Sequence, residues 1–297
     1  MSRAISYSLF GYEKGRQKDC FSFESYLRGF HINIRFNRII YPEWITVLNL
    51  DEETYNSPYK PIFDWHAERG YCELIIRESG ALCRNMLWRL ETVFEYIHPE
   101  WKYSHVICRD LDSISTYREA QMVQEWVNED KAIHCITDSV SHDIAMLGGL
   151  CGFRPGYVND ILGVSSHPDQ VFDKLMAKGK DINFSIKGSD QKFLMDHLYN
   201  TPLAQHATEH FIIGRYRDRK EENGRHYRVD ETLNIGVPEK FKETNLLAGH
   251  AGAAGFYEAQ TMKFLYWSDP HKEDYYELET MKGFEQIFYY QMREDLR

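Results

Sequence analysis

Short apolar segments alternate with amphipathic segments along the first half of the chain, and this alternation constrains the fold most. The strand-like segments are ISYSLFGY (5–12), WITVLNL (44–50), YCELII (71–76), HVIC (105–108) and AIHCI (132–136). Between them, apolar residues recur at three- and four-residue steps, most clearly in ESGALCRNMLWRLETVFEYI (78–97). Strands that alternate with helices predict an α/β fold with a mainly parallel central sheet flanked by helices.

The 297-residue chain shows no convincing linker and no internal repeat, so we expect a single domain over 1–297. The strand and helix patterns weaken after about residue 155, which predicts an elaborated C-terminal half. The net charge of −10 argues against a general nucleic-acid coat protein. The six cysteines form no C-x-x-C pair, which favours reduced, buried thiols in a cytoplasmic location. No apolar stretch is long enough to span a membrane.

Two aspartates follow the apolar run HVIC, in the sequence VICRDLDS (106–113). Asp110 and Asp112 are one residue apart, so in an extended chain their side chains share one face. Ligands of open α/β sheets bind at the carboxyl ends of the strands, where this pair would lie. Two adjacent carboxylates repel each other, and a hard cation such as Mg²⁺ or Mn²⁺ removes that conflict. The alternative is a solvated turn, with Asp112 near the N-terminus of the next helix.

A longer pattern surrounds these aspartates. The segments GALCRNMLWRLETVFE, HVICRDLDS and REAQMVQEWVNEDKAIHCITDSVSHDIAMLGGLCGFRP together resemble metal-dependent, nucleotide-sugar glycosyltransferases of the GT-A type. The resemblance is strongest to those with an R-D-x-D-S core followed by an L-G-G-x-x-G segment, and it spans roughly residues 5–200. It implies a GT-A-like domain, with a nucleotide-sugar-binding half over about 1–155 and an acceptor-side half over about 156–297.

The resemblance also implies a role for each matching residue. Asp110 and Asp112, together with His250 in GHAGAAG, would hold Mn²⁺ or Mg²⁺ against the donor diphosphate. Asp190 and Gln191 would face the sugar or the acceptor, and in an inverting reaction Asp190 would be the catalytic base. The donor-binding residues would be Ser8, Phe10, Gly11, Arg84, Asp110, Leu111, Gly148, Gly149, Gln191 and Gly252. A polar cluster, Asp138, His142 and Asp143, precedes the Gly-Gly pair and is a further candidate for a sugar contact. The family usually has a lysine after the GHAG-like motif; Ala253 and Ala254 stand there instead, which puts phosphate contacts at that segment in doubt.

The implied activity is transfer of a hexosyl or pentosyl group from a nucleotide-sugar donor, expected to be UDP-linked, to an acceptor hydroxyl. The segment RYRDRKEENGRHYR (215–228) interleaves basic and aromatic residues, as a surface that follows a phosphate backbone would. With that property the chain would resemble phage enzymes that glycosylate hydroxymethylcytosine in DNA, including arabinosyltransferases. The acidic residues in the same segment favour a solvated loop, and a glycan or polysaccharide acceptor is then the alternative.

Two other classes of protein place similar features in this pattern. Phosphatases of the haloacid-dehalogenase type also have D-x-D after a buried strand, although Ile114 stands where they have a threonine or valine. A non-catalytic module that binds a sugar nucleotide is the second alternative. The pattern is compatible with both inverting and retaining transfer.

Overall fold

A computed structural model describes residues 2–12, 23–113, 115, 117–137, 144–211, 228–229, 256–258, 263–267 and 275–277. The strands of the central sheet are β1 (Ser2–Leu9), β2 (Trp44–Asp51), β3 (Glu73–Arg77), β6 (Tyr103–Arg109), β7 (Ile133–Thr137), β8 (Leu150–Phe153), β9 (Ala207–Phe211) and β10 (Arg228–Val229). A two-stranded hairpin, β4 (Tyr96–Ile97) and β5 (Glu100–Trp101), lies between β3 and β6 in the chain. Three further strands, β11 (Phe256–Glu258), β12 (Lys263–Trp267) and β13 (Tyr275–Glu277), form a separate antiparallel sheet.

The strand order of the central sheet is β10-β9-β7-β8-β6-β1-β2-β3. Strand β8 is antiparallel to both of its neighbours, β6 and β7. All the other neighbouring strands are parallel. The predicted α/β class, with a mainly parallel sheet flanked by helices, is therefore confirmed.

The helices connect the strands and cover the sheet. They are α1 (Phe23–Ile40), α2 (Glu52–Tyr55), α3 (Lys60–Glu68), α4 (Leu82–Met86), α5 (Trp88–Val93), α6 (Tyr117–Asn128), α7 (Pro155–Leu162), α8 (Val171–Lys178) and α9 (Ser189–Leu194). A π-helical turn, Met195–Tyr199, continues α9, and 3-10 turns lie at Pro168–Gln170 and Pro202–His206. No described helix is both long and apolar enough to cross a membrane.

The apolar period over 78–97 is that of one continuous helix, but the structure divides this segment into α4 and α5. Leu87 lies at the junction with a ψ of −3°, so the regular helix stops there and restarts at Trp88. The apolar period runs through the break and does not reveal it, although α4 buries Cys83 and Asn85 while its Leu82 and Met86 are only partly buried. The break matters for the site, because α5 buries Arg89 together with the apolar residues on either side of it.

The core has two main parts, and adjacent residues of β1 belong to different ones. Ala4 packs in a cluster with α5, α8 and α9, whereas Ile5 packs in a cluster with α1, α3 and α6. Side chains alternate along a strand, so the two clusters cover opposite faces of the sheet. The five described cysteines are buried free thiols, as the sequence predicted: Cys72, Cys83, Cys108, Cys135 and Cys151.

Candidate active site

The carboxyl ends of the parallel strands meet at one edge of the sheet, where β1 ends at Leu9 and β6 ends at Arg109. Because β8 runs in the opposite direction, its first residue lies at this same edge, and Leu150 pairs with Arg109. The residue after β6, Asp110, therefore lies beside the residue before β8, Gly149. The sheet topology thus brings together two motifs that are 39 positions apart in the sequence.

Gly149 is required by the position of Asp110. A Cβ atom at Gly149 would lie 1.9 Å from Asp110 Oδ2, and one at Gly148 would lie 2.7 Å from Arg89 Nη2. A side chain at either position would have to displace the charged group that it meets, so the glycine pair lets the backbone approach both groups closely. The Gly149 carbonyl also accepts a hydrogen bond of 3.1 Å from Arg109 Nη1, which holds the glycine segment against the end of β6.

Arg89 links the two carboxylates that the sequence singled out. Its Nη1 donates to Asp110 Oδ1 and, at 3.4 Å, to the Arg109 carbonyl, while its Nη2 lies 3.8 Å from Asp190 Oδ2. The Arg89 side chain is only 6% exposed, so the guanidinium is a fixed internal cation. Burial by itself would lower the pKa of Arg89, but Asp110 and Asp190 together raise it, so the group stays charged.

Asp190 lies in the first turn of α9 and is almost fully buried. Burial raises the pKa of this carboxyl group; Arg89 opposes that effect, and the nearby Asp110 adds to it. The neighbouring Gln191 accepts a hydrogen bond of 3.1 Å from the Gly148 amide. The start of α9 is thereby attached to the glycine segment, which brings Asp190 to the same site as Asp110.

The turn that carries Asp112 is bound to α1. The Asn33 amide group donates to the carbonyls of Leu111 and Ser113, at 3.4 and 2.9 Å, and its oxygen accepts from the Ser115 amide at 3.0 Å. The Leu111 side chain is buried in the core, so only its backbone is available for the donor contact that the resemblance implies. Asp112 itself is partly buried.

The three predicted residues at the end of β1 lie near the end of β2. Gly11 has a φ of 77°, which favours glycine, and its amide donates to Asp51 Oδ2 at 3.3 Å. The Phe10 ring contacts the Trp88 ring edge-on, with centroids 5.4 Å apart. The Ser8 hydroxyl is buried, and among the described residues it has no hydrogen-bond partner.

The arginine that reaches Asp110 is Arg89, whereas the predicted contact of Arg84 with the donor stays a prediction. The structure places Arg84 Nη1 at 4.0 Å from Glu91, with the guanidinium 5.0 Å from the centre of the Phe172 ring. Sequence reasoning missed Arg89 because it occupies a core-facing position among apolar neighbours, LWRL, where a charge has to be paired. That unusual placement is the signal that could have identified it.

Several other predicted residues lie outside the described part of the chain. They are Asp138, His142, Asp143, His250, Gly252 and the basic segment 215–227. Within the described residues, no group of three or more histidine, cysteine, aspartate or glutamate side chains is arranged to hold a metal ion.

The chemistry of the donor set nevertheless fits a hard divalent cation. Asp110 and Asp112 offer carboxylate oxygens at the edge of the sheet, and the Asp110 side chain is 40% exposed. Mg²⁺ and similar cations are commonly bound through one or two carboxylates together with water and substrate phosphates. Two carboxylates are therefore sufficient protein ligands if a diphosphate completes the coordination.

Comparisons with known proteins give distant structural likenesses. No protein-family model and no curated protein matches the sequence. A structure of S. aureus TarS 1–349 is similar at a TM-score of 0.34 and 13% identity, over 60% of this chain and 55% of that one. The chain thus spans little more than half of that TarS structure.

Two further structures are similar at the same level. One is a glycosyltransferase involved in the glycosylation of the major capsid of PBCV-1, with a TM-score of 0.36 and 8% identity over 73% of this chain and 88% of that one. The other is 4-diphosphocytidyl-2C-methyl-D-erythritol synthase from Anaerococcus prevotii, with a TM-score of 0.35 and 10% identity over 66% of this chain and 96% of that one.

Proposed function

We propose that this chain is a metal-dependent glycosyltransferase that moves a sugar from a UDP-linked donor to an acceptor hydroxyl. The observation that carries the proposal is the junction of Asp110, Arg89 and Asp190 at the carboxyl edge of the sheet, with Gly148 and Gly149 packed against it. A pair of carboxylates on an ordinary surface turn would not need a buried arginine and two adjacent glycines. A site that holds a diphosphate and a sugar would use both.

The cation would be Mn²⁺ or Mg²⁺, held by Asp110 and Asp112 with His250 as the third predicted ligand. When bound, the cation would neutralise the charge that develops on the leaving diphosphate. Arg89 orients the Asp110 carboxylate from within the core, and groups that orient a metal ligand in this way are important for metal affinity. The positive charge of the buried guanidinium also offsets the repulsion between the Asp110 and Asp190 carboxylates.

Asp190 is the candidate base for the acceptor hydroxyl if the sugar is transferred with inversion. Burial raises its pKa toward the range in which a carboxylate is a better proton acceptor, while Arg89 favours the ionised form that a base requires. A retaining reaction would need no base here, and Asp190 would then contact the sugar.

The nucleoside of the donor would lie at the ends of β1 and β2, near Ser8, Phe10 and Gly11. The Ser8 hydroxyl, which has no hydrogen-bond partner among the described residues, supports this placement because a buried polar group requires one. The glycine pair before β8 would lie against the donor sugar, where backbone can approach a ligand closely.

For the acceptor, the basic and aromatic segment 215–228 supports a hydroxymethylated base in phage DNA, and a glycan is the alternative. DNA binding through phosphate contacts weakens steeply with salt. Filter binding of a DNA duplex at low and high salt separates the two acceptors. Salt-sensitive retention supports DNA as the acceptor, and absence of retention at low salt excludes a DNA acceptor.

The test of the donor chemistry is release of UDP from a panel of UDP-sugars with and without Mn²⁺, for the wild type and for Asp112→Asn. This substitution keeps the size of the side chain and removes its charge, and Asp173→Asn on the exposed surface of α8 is the matched control. We expect cation-dependent UDP release in the wild type and the control, and its loss in Asp112→Asn. Equal release by all three proteins would refute the assignment.

A further inference from the structure

One face of α1 presents buried polar side chains to the end of the sheet. Asn33 and Asn37 are four residues apart, so they share one side of the helix. Their exposed fractions are 0 and 1%. Buried polar groups of this kind require partners, and the partners of these two residues differ in a way that separates their roles.

Asn33 contacts backbone, and all of that backbone belongs to the turn after β6. Its Nδ2 donates to the carbonyls of Leu111 and Ser113, on either side of Asp112, and its Oδ1 accepts from the Ser115 amide. A carbonyl only accepts and a backbone amide only donates, so the Nδ2 and Oδ1 atoms of Asn33 cannot exchange places. The three bonds therefore determine where the backbone of Asp112 lies.

Asn37, one helical turn further along, contacts hydroxyl groups instead. Its Nδ2 donates to the Tyr7 hydroxyl at 3.1 Å and to Thr46 Oγ1 at 3.2 Å, and its Oδ1 accepts from Ser115 Oγ at 2.9 Å. Hydroxyl groups both donate and accept, so the hydrogen bonds around Asn37 can still form when its Nδ2 donor is replaced by an acceptor.

We propose that Asn33 is a positioning residue for the Asp110–Ser113 turn, and that its carboxamide sets the cation affinity of the site by fixing the backbone on both sides of Asp112. The cation part of this proposal rests on the function proposed above, whereas the positioning of the turn does not. Groups that orient metal ligands without touching the metal change its affinity by about 10- to 100-fold when they are replaced.

The comparison of Asn33→Asp with Asn37→Asp tests the proposal. An aspartate at Asn33 keeps the acceptor for Ser115 but turns a carboxylate oxygen toward the two carbonyls, which repel it. An aspartate at Asn37 meets two hydroxyls that can rotate and donate to it. Both variants introduce the same charge on the same buried face of α1, so they differ chiefly in their effect on the turn.

Two measurements decide the outcome on the full-length chain. Amide hydrogen exchange over residues 110–115 reports the turn directly, and Mn²⁺ binding by electron paramagnetic resonance, with and without UDP, reports the site. We expect faster exchange of the turn and Mn²⁺ binding weaker by about tenfold or more in Asn33→Asp, with both quantities near the wild-type values in Asn37→Asp.

Other outcomes would contradict either the positioning role of Asn33 or the proposed function on which the cation part rests. Unchanged exchange of the turn in Asn33→Asp overturns the positioning role, and so do equal changes in both variants. If wild type binds no Mn²⁺ even with UDP, the proposed function fails, and the exchange comparison still decides whether Asn33 fixes the turn. If Asn33→Asp does not fold, Asn33→Ala and Asn37→Ala are compared by the same measurements and with the same expectations.

Discussion

Asp110 Oδ2 lies so close to the Cα of Gly149 that a Cβ at that position would be only 1.9 Å away. We therefore expect Gly149→Ala to displace the Asp110 carboxylate or the start of β8. A displacement of about 1 Å at a reacting centre can cost about 100-fold in rate, so UDP release should fall by at least that order. Gly80→Ala is the control, because its nearest neighbours would be 3.4 Å from the new Cβ. Wild-type turnover in Gly149→Ala would show that this contact is not needed.

Arg89→Met should destabilise the protein strongly. It leaves the buried Asp190 without its cation, and removing one partner of a buried ion pair costs about 3–5 kcal/mol in the free energy of unfolding. Arg84→Met is the stability control, since the Arg84 side chain is 31% exposed and its ion pair with Glu91 is 4.0 Å long. Exposed pairs contribute about 0–1 kcal/mol. Urea unfolding measures both, and equal losses would contradict the role of Arg89.

The ion pair between Arg109 and Glu119 is buried at both ends, with 2.9 Å between Arg109 Nη2 and Glu119 Oε2 and each side chain 1% exposed. Arg109→Met alone should cost about 3–5 kcal/mol, because an uncompensated carboxylate remains in the core. The double variant Arg109→Met/Glu119→Leu should recover a large part of that loss, since no buried charge is left behind. A double variant less stable than the single one, measured by urea unfolding, would contradict this account.

A pair of histidines predicts acid sensitivity. His31 Nδ1 and His66 Nε2 are 2.8 Å apart between α1 and α3. Burial, with Arg35 adding to it, lowers the pKa of His31 to about 4. Burial, with His31 adding to it, lowers the pKa of His66 to about 3. Both pKa values lie below the unfolded value of 6.5, so the unfolded chain binds more protons as the pH falls through 6.5 toward 4.

The free energy of unfolding should therefore decrease over that pH range, by up to about 1.4 kcal/mol per pH unit for each such histidine. His66→Phe removes one of the titrating groups, so it should make the dependence shallower. A steeper slope in His66→Phe, measured by urea unfolding between pH 7.5 and 4.5, would contradict the assignment.

The sequence by itself determined the class of fold and the position of the carboxylate pair. Apolar runs of strand length separated by amphipathic helices leave few arrangements other than a covered, mainly parallel sheet. The same local pattern placed Asp110 directly after a buried strand, and therefore at the edge where ligands of such sheets bind. These conclusions depend on neighbouring residues only, which is why they can be reached without a structure.

Only the tertiary structure decided which distant residues complete the site. The antiparallel direction of β8 brings Gly149 to Asp110, and the break at Leu87 lets α5 bury Arg89 between Asp110 and Asp190. Asn33 reaches the turn from α1, 78 positions earlier than Leu111. Neither the direction of a short strand nor the face that a short helix buries is encoded in apolar periodicity, because both depend on packing against elements far away in the chain.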